Sequence, residues 1–222
     1  MTVYAPPPTC GKPKIRPCFI VFEGIDGSGK TTQARLLAQR LNTLGLSVLL
    51  TAEPSEGPAG RIIRSLTTRP GPEEEARLFT EDRRDHVQRV IIPALSQGRT
   101  VICDRYVYSS AAYQGARGLD PTAIISAQSS FAPSPDVTFL LEVPIDIALA
   151  RIASARCGSF SAFEVRENLE AVDAVYRSLI DSSIKRIDGT ASPEVIHANI
   201  IESILELECY RKSRYHPGLF GG

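Results

Sequence analysis

Residues 18–31 read CFIVFEGIDGSGKT, and this stretch decides the fold. It begins with an apolar, β-rich run over residues 18–23, and the segment from Gly24 to Thr31 matches the pattern G-x-x-x-x-G-K-[ST]. Glycines let the backbone curl so that several N–H groups point at one anion, and the N-terminus of a following helix adds a positive dipole end. The stretch therefore predicts a strand, a phosphate-binding loop and a helix, in that order.

The residues of this loop indicate which anion it binds. Lys30 supplies a positive charge for the β- and γ-phosphates of a nucleoside triphosphate, and the Thr31 hydroxyl is an oxygen ligand of the kind that Mg²⁺ accepts. A glycine-rich turn without a ligand is the competing interpretation, which the strand, loop and helix context disfavours. The residues predicted to hold the phosphates of ATP are Gly24, Ile25, Asp26, Gly27, Ser28, Gly29, Lys30, Thr31 and Thr32.

Further β-rich runs alternate with helical stretches along the chain. The runs occupy residues 18–23, 47–51, 100–103, 136–143 and 184–187. Each is followed by a helix or by a loop and a helix, a pattern typical of a parallel sheet with helices on both faces. Apolar spacing and end signals predict helices over residues 31–44, 73–95 and 193–208, the last with Ser192 as N-cap. The fold class is therefore α/β, with a doubly wound, five-stranded parallel sheet.

Composition limits the classes of function. Lys plus Arg and Asp plus Glu each number 25, so we expect no binding of nucleic acid through bulk charge. No apolar run reaches the length of a membrane span, and the N-terminus has no apolar signal segment, so no membrane partner is expected. Five cysteines without a C-x-x-C pair predict ordinary thiols in a reducing compartment, which indicates a cytoplasmic protein.

The domain organisation follows from the position of proline and of periodic sequence. Residues 1–16 are proline-rich and predict a flexible leader, and residues 209–222 predict a tail. Between them, residues 17–208 predict one kinase domain, since a chain of this size buries a substantial single core.

The motifs after the loop resemble those of thymidylate kinases in order and spacing. They are FIVFEGIDGSGKTTQ, then Ala52-Glu53-Pro54, then LFTEDRRDH at residues 78–86, then Asp104-Arg105-Tyr106, then SSAAYQG at residues 109–115. The resemblance spans residues 18–206 and implies a P-loop kinase fold with a small helical lid. It also implies Mg²⁺-dependent transfer of the γ-phosphoryl group of ATP to dTMP, giving ADP and dTDP, by a homodimer. A kinase for another nucleotide or deoxynucleoside, and a regulatory module that binds nucleotide without transfer, are the alternatives.

Two residues after the third strand have a physical reading of their own. Asp104 ends an apolar strand, where a carboxylate reaches the phosphate pocket and holds the metal together with Thr31. Arg105 offers a planar, permanently charged fork that suits the phosphate of a monophosphate acceptor, with a structural ion pair to Asp104 as the alternative. Asp26 resembles the family carboxylate that binds the sugar 3′-hydroxyl, and an Asx turn is its alternative.

The base of the acceptor is assigned from the resemblance. Phe79 stacks on thymine and Arg83, four residues later on the same helical face, hydrogen-bonds the edge of the base. Without the resemblance, Phe79 would be read as a core residue. The residues that the resemblance places around dTMP are Asp26, Glu53, Pro54, Phe79, Arg83, Arg105, Ser110, Tyr113 and Gln114.

The arginine that stabilises the transition state is predicted to come from the lid. Some thymidylate kinases carry an arginine in the phosphate-binding loop, but this chain has Gly27 there. The resemblance places a lid at about residues 151–166, with Arg151 against adenine, Arg156 at the transferring phosphoryl group and Arg166 as the substitute candidate. Asp188, Gly189 and Thr190 resemble the loop beside adenine, and Ala52 and residues 158–164 depart from the family pattern. The predicted catalytic residues are Asp26, Lys30, Arg105 and Arg156.

Overall fold

A computed structural model describes residues 16–155 and 162–207, in which five parallel strands form one sheet. The strands are β1 (Phe19–Glu23), β2 (Val48–Ala52), β3 (Thr100–Asp104), β4 (Val137–Glu142) and β5 (Ile184–Asp188). They lie in the order β2, β3, β1, β4, β5, with every neighbouring pair parallel. The predicted α/β fold with a five-stranded parallel sheet is confirmed.

Helices connect the strands in the described part of the chain. They are α1 (Lys30–Thr43), α2 (Pro58–Ser65), α3 (Pro72–His86), α4 (Ile92–Ser96), α5 (Val107–Gly115), α6 (Pro121–Gln128), α7 (Ile145–Ala155), α8 (Ala162–Ser178) and α9 (Pro193–Leu205). A π-helical turn at Val87–Ile91 joins α3 to α4, so the helix predicted over residues 73–95 is continuous but locally widened. The Ser192 side chain accepts a hydrogen bond from the backbone N–H of Val195, which confirms the predicted N-cap of α9.

Helices cover both faces of the sheet, and the central strand β1 is therefore buried on both sides. On one face, Ile20 and Phe22 lie in a cluster with apolar residues of α1 and α9. On the other face, Phe19 and Val21 pack with Val87 and other residues of the α3 to α4 segment. This two-sided burial explains why β1 reads as an unbroken apolar run and does not alternate.

The strand order determines which loops meet at the carboxyl edge of the sheet. Strands β3 and β4 flank β1 on opposite sides. The chain after β1 runs to β2 on the β3 side, whereas the chain after β3 crosses to β4 on the other side, so the strand order reverses at β1. Phe22 is paired in register with Asp104, so the loop after β1 lies beside the first residues after β3. Open parallel sheets bind ligands at such a switch point.

Two features bear on the composition argument. Cys18 is disulfide-bonded, so the prediction of five ordinary thiols is wrong for this residue, since the count and spacing of cysteines do not report which ones meet in space. Cys103 is a buried free thiol, as predicted. No helix within residues 16–155 and 162–207 has the length and apolarity that crossing a membrane requires.

Candidate active site

The phosphate-binding loop between β1 and α1 is shaped by glycines with positive φ. Gly24 has φ 138°, and a Cβ there would lie 2.5 Å from the Leu141 carbonyl oxygen. Gly27 has φ 80°, and a Cβ there would lie 2.5 Å from the Ala148 carbonyl oxygen. Neither position has room for a side chain, so the loop conformation and its contact with the neighbouring backbone both require glycine.

Lys30 starts α1 with its side chain folded under the loop. Its ammonium donates a hydrogen bond to the Ile25 carbonyl oxygen at 2.8 Å, and the residue is buried. Burial and then the positive charge of Arg105 lower the pKa of Lys30 to about 7, although Asp26 and Asp104 oppose the change. A phosphate anion at this position would supply the negative charge that the buried ammonium lacks.

The two predicted metal ligands are brought together. The Thr31 hydroxyl donates to Oδ2 of Asp104 at 2.5 Å, across 73 residues of sequence. The other carboxylate oxygen, Oδ1, is buried and has no hydrogen-bond partner among the described residues. A carboxylate with a free buried oxygen beside a hydroxyl is a donor set that fits Mg²⁺, which binds hard oxygen ligands.

Arg105 connects the loop to a second pocket. Its backbone has φ 73°, unusual for a residue with a side chain, and its N–H donates to the Phe22 carbonyl oxygen at 2.9 Å. The guanidinium reaches Oδ1 of Asp26 at 2.5 Å and lies 5.0 Å from the centre of the Tyr113 ring. The ion pair is therefore with Asp26 and not with Asp104, the partner considered from the sequence.

Glu23, a residue that the sequence analysis did not select, holds the segment after Arg105. Its Oε1 accepts the N–H groups of Tyr106 at 2.9 Å and Ser109 at 3.0 Å. Its Oε2 accepts the hydroxyls of Ser109 and Tyr176 at 2.5 and 2.9 Å. Burial raises the pKa of Glu23 despite these hydrogen bonds. The available signal was a carboxylate at the end of an otherwise apolar buried strand.

A pocket of about 210 Å³ opens beside Arg105. Arg69 and Glu75 line it, although the sequence analysis selected neither. Most residues predicted to surround the acceptor also line it, namely Asp26, Pro54, Phe79, Arg105, Ser110, Tyr113 and Gln114. The structure therefore assembles one concave site from the loop, the end of β2, α3 and α5.

Arg83 and Glu53 differ from the expected arrangement. Their side chains are 1% and 2% exposed, and neither lines this pocket. Arg83 Nε donates to Oε2 of Glu53 at 2.8 Å, and its other nitrogens donate to Ser110, Gln128 and the Tyr106 carbonyl oxygen. The buried carboxylate of Glu53 attracts the guanidinium into the interior. Phe79 therefore lines the pocket, whereas Arg83 does not.

The residues predicted for the adenine side also meet. Arg151 of α7 donates to the carbonyl oxygens of Gly189 at 2.9 Å and of Gly27 at 3.4 Å. Asp188 accepts the Thr190 N–H at 2.9 Å, which forms a tight turn after β5. Arg151 thus links this turn to the phosphate-binding loop.

The predicted lid is described only at its ends. Helix α7 ends at Ala155 and α8 begins at Ala162, and Arg156 lies outside the described residues. Arg166, the substitute candidate, pairs with Asp146 and lies 3.5 Å from Glu170. Its charge is therefore directed to neighbouring carboxylates and not to the phosphate-binding loop.

Comparison with known proteins gives a consistent result. A family model described as "Thymidylate kinase" matches residues 22–200. A thymidylate kinase of Desulfotalea psychrophila is 42% identical over 192 residues, covering 85% of this chain and 95% of that protein. A probable thymidylate kinase of Pyrococcus horikoshii is 43% identical over 198 residues, covering 84% and 95%. A thymidylate kinase of Akkermansia muciniphila is 42% identical over 188 residues, covering 84% and 90%.

Proposed function

The chain belongs to the thymidylate kinase family, and from this premise we propose that it transfers the γ-phosphoryl group of ATP to dTMP, giving ADP and dTDP. The observation that carries the proposal is Arg105, which reaches Asp26 in the phosphate-binding loop and lines the pocket of about 210 Å³, which we name the acceptor pocket. A guanidinium between the loop and this pocket would lie between the γ-phosphoryl group of ATP and the phosphate of dTMP. Direct transfer from one bound nucleotide to the other needs no covalent enzyme intermediate.

Each side chain has a role that its position supports. The loop N–H groups and Lys30 bind the ATP phosphates, and the Arg105 fork binds the phosphate of dTMP. Asp26 accepts the 3′-hydroxyl of the sugar, and Phe79 stacks on the base. Pro54, Ser110, Tyr113 and Gln114 enclose the nucleotide, and Lys30 and Arg105 stabilise the charge that develops during transfer.

Two further residues support the pocket from behind. Arg83 and Glu53 form a buried ion pair, and Arg83 donates to the hydroxyl of Ser110 at 3.0 Å. We therefore assign them the role of fixing Ser110 and the chain after Arg105. Arg83 does not line the pocket, so the contact with the base that the family resemblance implied stays a prediction.

Mg²⁺ is the proposed metal. Thr31 and Asp104 would hold it, since they offer a hydroxyl and a buried carboxylate oxygen without a partner in the described chain. When bound, the ion would neutralise charge on the ATP phosphates.

The remaining assignments rest on the family and on the described contacts near the lid. Arg151 and the turn at Asp188, Gly189 and Thr190 bind the adenine end of ATP. By family resemblance, Arg156 supplies positive charge at the transferring phosphoryl group. We propose one kinase domain over residues 17–208, a homodimer and a cytoplasmic location.

Steady-state ADP release with Mg·ATP tests the function. The purified protein is assayed with dTMP, dUMP, dCMP, dGMP, AMP and thymidine as acceptors. We expect the highest kcat/KM with dTMP. A higher value with another acceptor would assign a different substrate, and ATP binding without turnover on any acceptor would indicate a regulatory module.

A pair of lysine variants excludes a contaminating kinase. Lys30→Met removes the buried ammonium, so turnover is expected to fall by at least about 100-fold. Lys185→Met removes a partly exposed lysine of β5 that pairs with Glu206 at 2.7 Å, and its turnover is expected to equal that of the unaltered protein. Equal turnover of both variants would show that the measured activity does not use this loop.

A further inference from the structure

Glu75 binds three side chains at the acceptor pocket that it lines. Its Oε1 accepts from Nε of Arg69 at 2.7 Å, and its Oε2 accepts from Nη1 of Arg117 at 2.8 Å. The same Oε2 accepts from Nε2 of Gln114 at 3.3 Å. Neither the loop chemistry nor the family resemblance assigned a role to Glu75.

The charge state of Glu75 makes it an acceptor only. Burial raises its pKa, but the hydrogen bonds from Arg69 and Arg117 outweigh burial and hold the pKa of Glu75 below its usual range. The side chain is therefore a carboxylate near neutral pH. A carboxylate accepts hydrogen bonds and donates none, so it attracts the nitrogen of a neighbouring amide and repels the oxygen.

Gln114 has one satisfied end and one unsatisfied end. It is 1% exposed and lines the same pocket, and its amide nitrogen donates to Glu75. Its amide oxygen, Oε1, is buried, and no donor among the described residues reaches it. Burying an acceptor without a donor is unfavourable, so a ligand that places an N–H group at this position would gain binding free energy from the new hydrogen bond.

We propose that Glu75 is a positioning residue for base selection, which orients the Gln114 amide so that its oxygen accepts an N–H from the acceptor base. This inference rests on the proposed function. Thymine and uracil carry an N–H at ring position 3, whereas cytosine has a lone pair there. With the amide fixed by Glu75, cytosine would set its lone pair against the Gln114 oxygen and would be rejected.

If the Gln114 side-chain amide were rotated by half a turn, it would select cytosine instead of thymine. Its nitrogen would donate to the cytosine lone pair, but its oxygen would then lie against the Glu75 carboxylate. Amide oxygen and nitrogen have nearly the same shape, so the hydrogen-bond partners decide the orientation. Removal of the negative charge at position 75 should therefore allow both orientations.

Glu75→Gln tests the inference, with Glu74→Gln as the matched control. Glu74 is the adjacent residue of α3, half exposed and paired with Arg77, so its variant removes the same charge outside the pocket. For each protein, kcat and KM are measured with dTMP, dUMP and dCMP. In Glu75→Gln we expect the ratio of kcat/KM for dTMP to that for dCMP to fall by about 10-fold or more, through KM. The ratio for dTMP to dUMP should stay constant, because both bases carry the N–H.

The outcomes separate this inference from the proposed function. Absence of dTMP turnover in the unaltered protein would overturn both. A folded Glu75→Gln variant with the unaltered ratio of dTMP to dCMP would overturn the inference alone, as would an equal change in Glu74→Gln. If Glu75→Gln does not fold, the double variant Glu75→Gln/Arg117→Gln restores the charge balance of the cluster, and the same change in selectivity is expected.

Discussion

At the scale of single residues, the position of Arg105 depends on hydrogen bonds from its own segment to β1. Arg105 adopts a left-handed backbone conformation, and such strain persists only where neighbouring contacts over-determine it. Those contacts come from consecutive residues of β1, since Phe22 accepts the N–H of Arg105 and Glu23 accepts the N–H of Tyr106. The backbone conformation of Arg105 is thus held by hydrogen bonds to Phe22 and Glu23, and its guanidinium is directed by the carboxylate of Asp26.

Replacement of Glu23 tests this support. Glu23→Ala removes a buried acceptor shared by two backbone N–H groups and two hydroxyls, so we expect the free energy of unfolding to fall by about 2–4 kcal/mol. Urea denaturation measures the change. Glu142→Ala is the matched control, because Glu142 ends the neighbouring strand β4 but is partly exposed and pairs with Arg186. We expect a loss below about 1 kcal/mol in the control, and equal losses would contradict the assignment.

Replacement of Gly27 tests the packing of the phosphate-binding loop. In Gly27→Ala, the new Cβ meets the Ala148 carbonyl oxygen, so the loop must move away from α7. We expect KM for ATP to rise by about 10-fold or more, since displaced N–H groups no longer converge on the phosphates. Gly98→Ala is the control, because Gly98 also has positive φ, 77°, but has no atom within 4 Å of the added Cβ. An unchanged KM in Gly27→Ala would refute this account.

At the scale of elements, Glu75 ties α3 to the segment before it and to the segment after α5. It accepts hydrogen bonds from Arg69 and Arg117, which lie outside the two helices, and it contacts Gln114 near the end of α5. These contacts close one side of the acceptor pocket. The position of α3 relative to α5 therefore depends on a group that titrates.

Acid pH should weaken this connection. The folded-state pKa of Glu75 is depressed, so its contribution is complete above the unfolded value of 4.5 and is lost as pH falls through the folded pKa. The free energy of unfolding of the unaltered protein should therefore fall more steeply below pH 4.5 than that of Glu75→Gln. Denaturation at several pH values measures both slopes. The hydrogen bond with Arg77 also lowers the pKa of Glu74, but this pair is exposed and screened by solvent, so Glu74→Gln should change the slope less. Parallel slopes for Glu75→Gln and the unaltered protein would contradict the linkage.

At the scale of the whole molecule, the sheet order brings the two proposed substrate sites together. The loop after β1 and the segment after β3 are neighbours because β3 pairs with β1, although Asp26 and Arg105 are 79 residues apart. Helix α7 then returns to the same edge, where Arg151 contacts the loop.

The lid assignment gives a kinetic prediction. Arg156→Ala should lower kcat by about 100-fold or more with little change in KM, because charge at the transferring phosphoryl group is needed mainly in the transition state. Arg166→Ala is the control, since Arg166 pairs with Asp146 and Glu170, and its kcat should stay within about 3-fold of the unaltered value. Single-turnover kinetics with saturating dTMP measure the step. The opposite ranking would transfer the role to Arg166.

The sequence by itself determined the features that depend only on residues close together in the chain. The apolar run of β1, the glycine pattern after it and the N-cap of α9 are local features, and the structure has all three. The same order fixed the family, because its motifs keep their spacing. No range was predicted for α2, α5, α6, α7 or α8. The first three have only eight or nine residues, and so short a helix carries little periodicity.

Only the tertiary structure decided which charges meet. Arg83 and Phe79 lie four residues apart on α3, yet the buried carboxylate of Glu53 draws Arg83 inward and leaves Phe79 at the pocket. Likewise, the Ala148 carbonyl oxygen excludes a side chain at Gly27, and Glu23 finds Tyr176 across 153 residues. These outcomes depend on contacts between distant segments, and the energy of a buried charge depends on all of its neighbours, which a linear pattern does not contain.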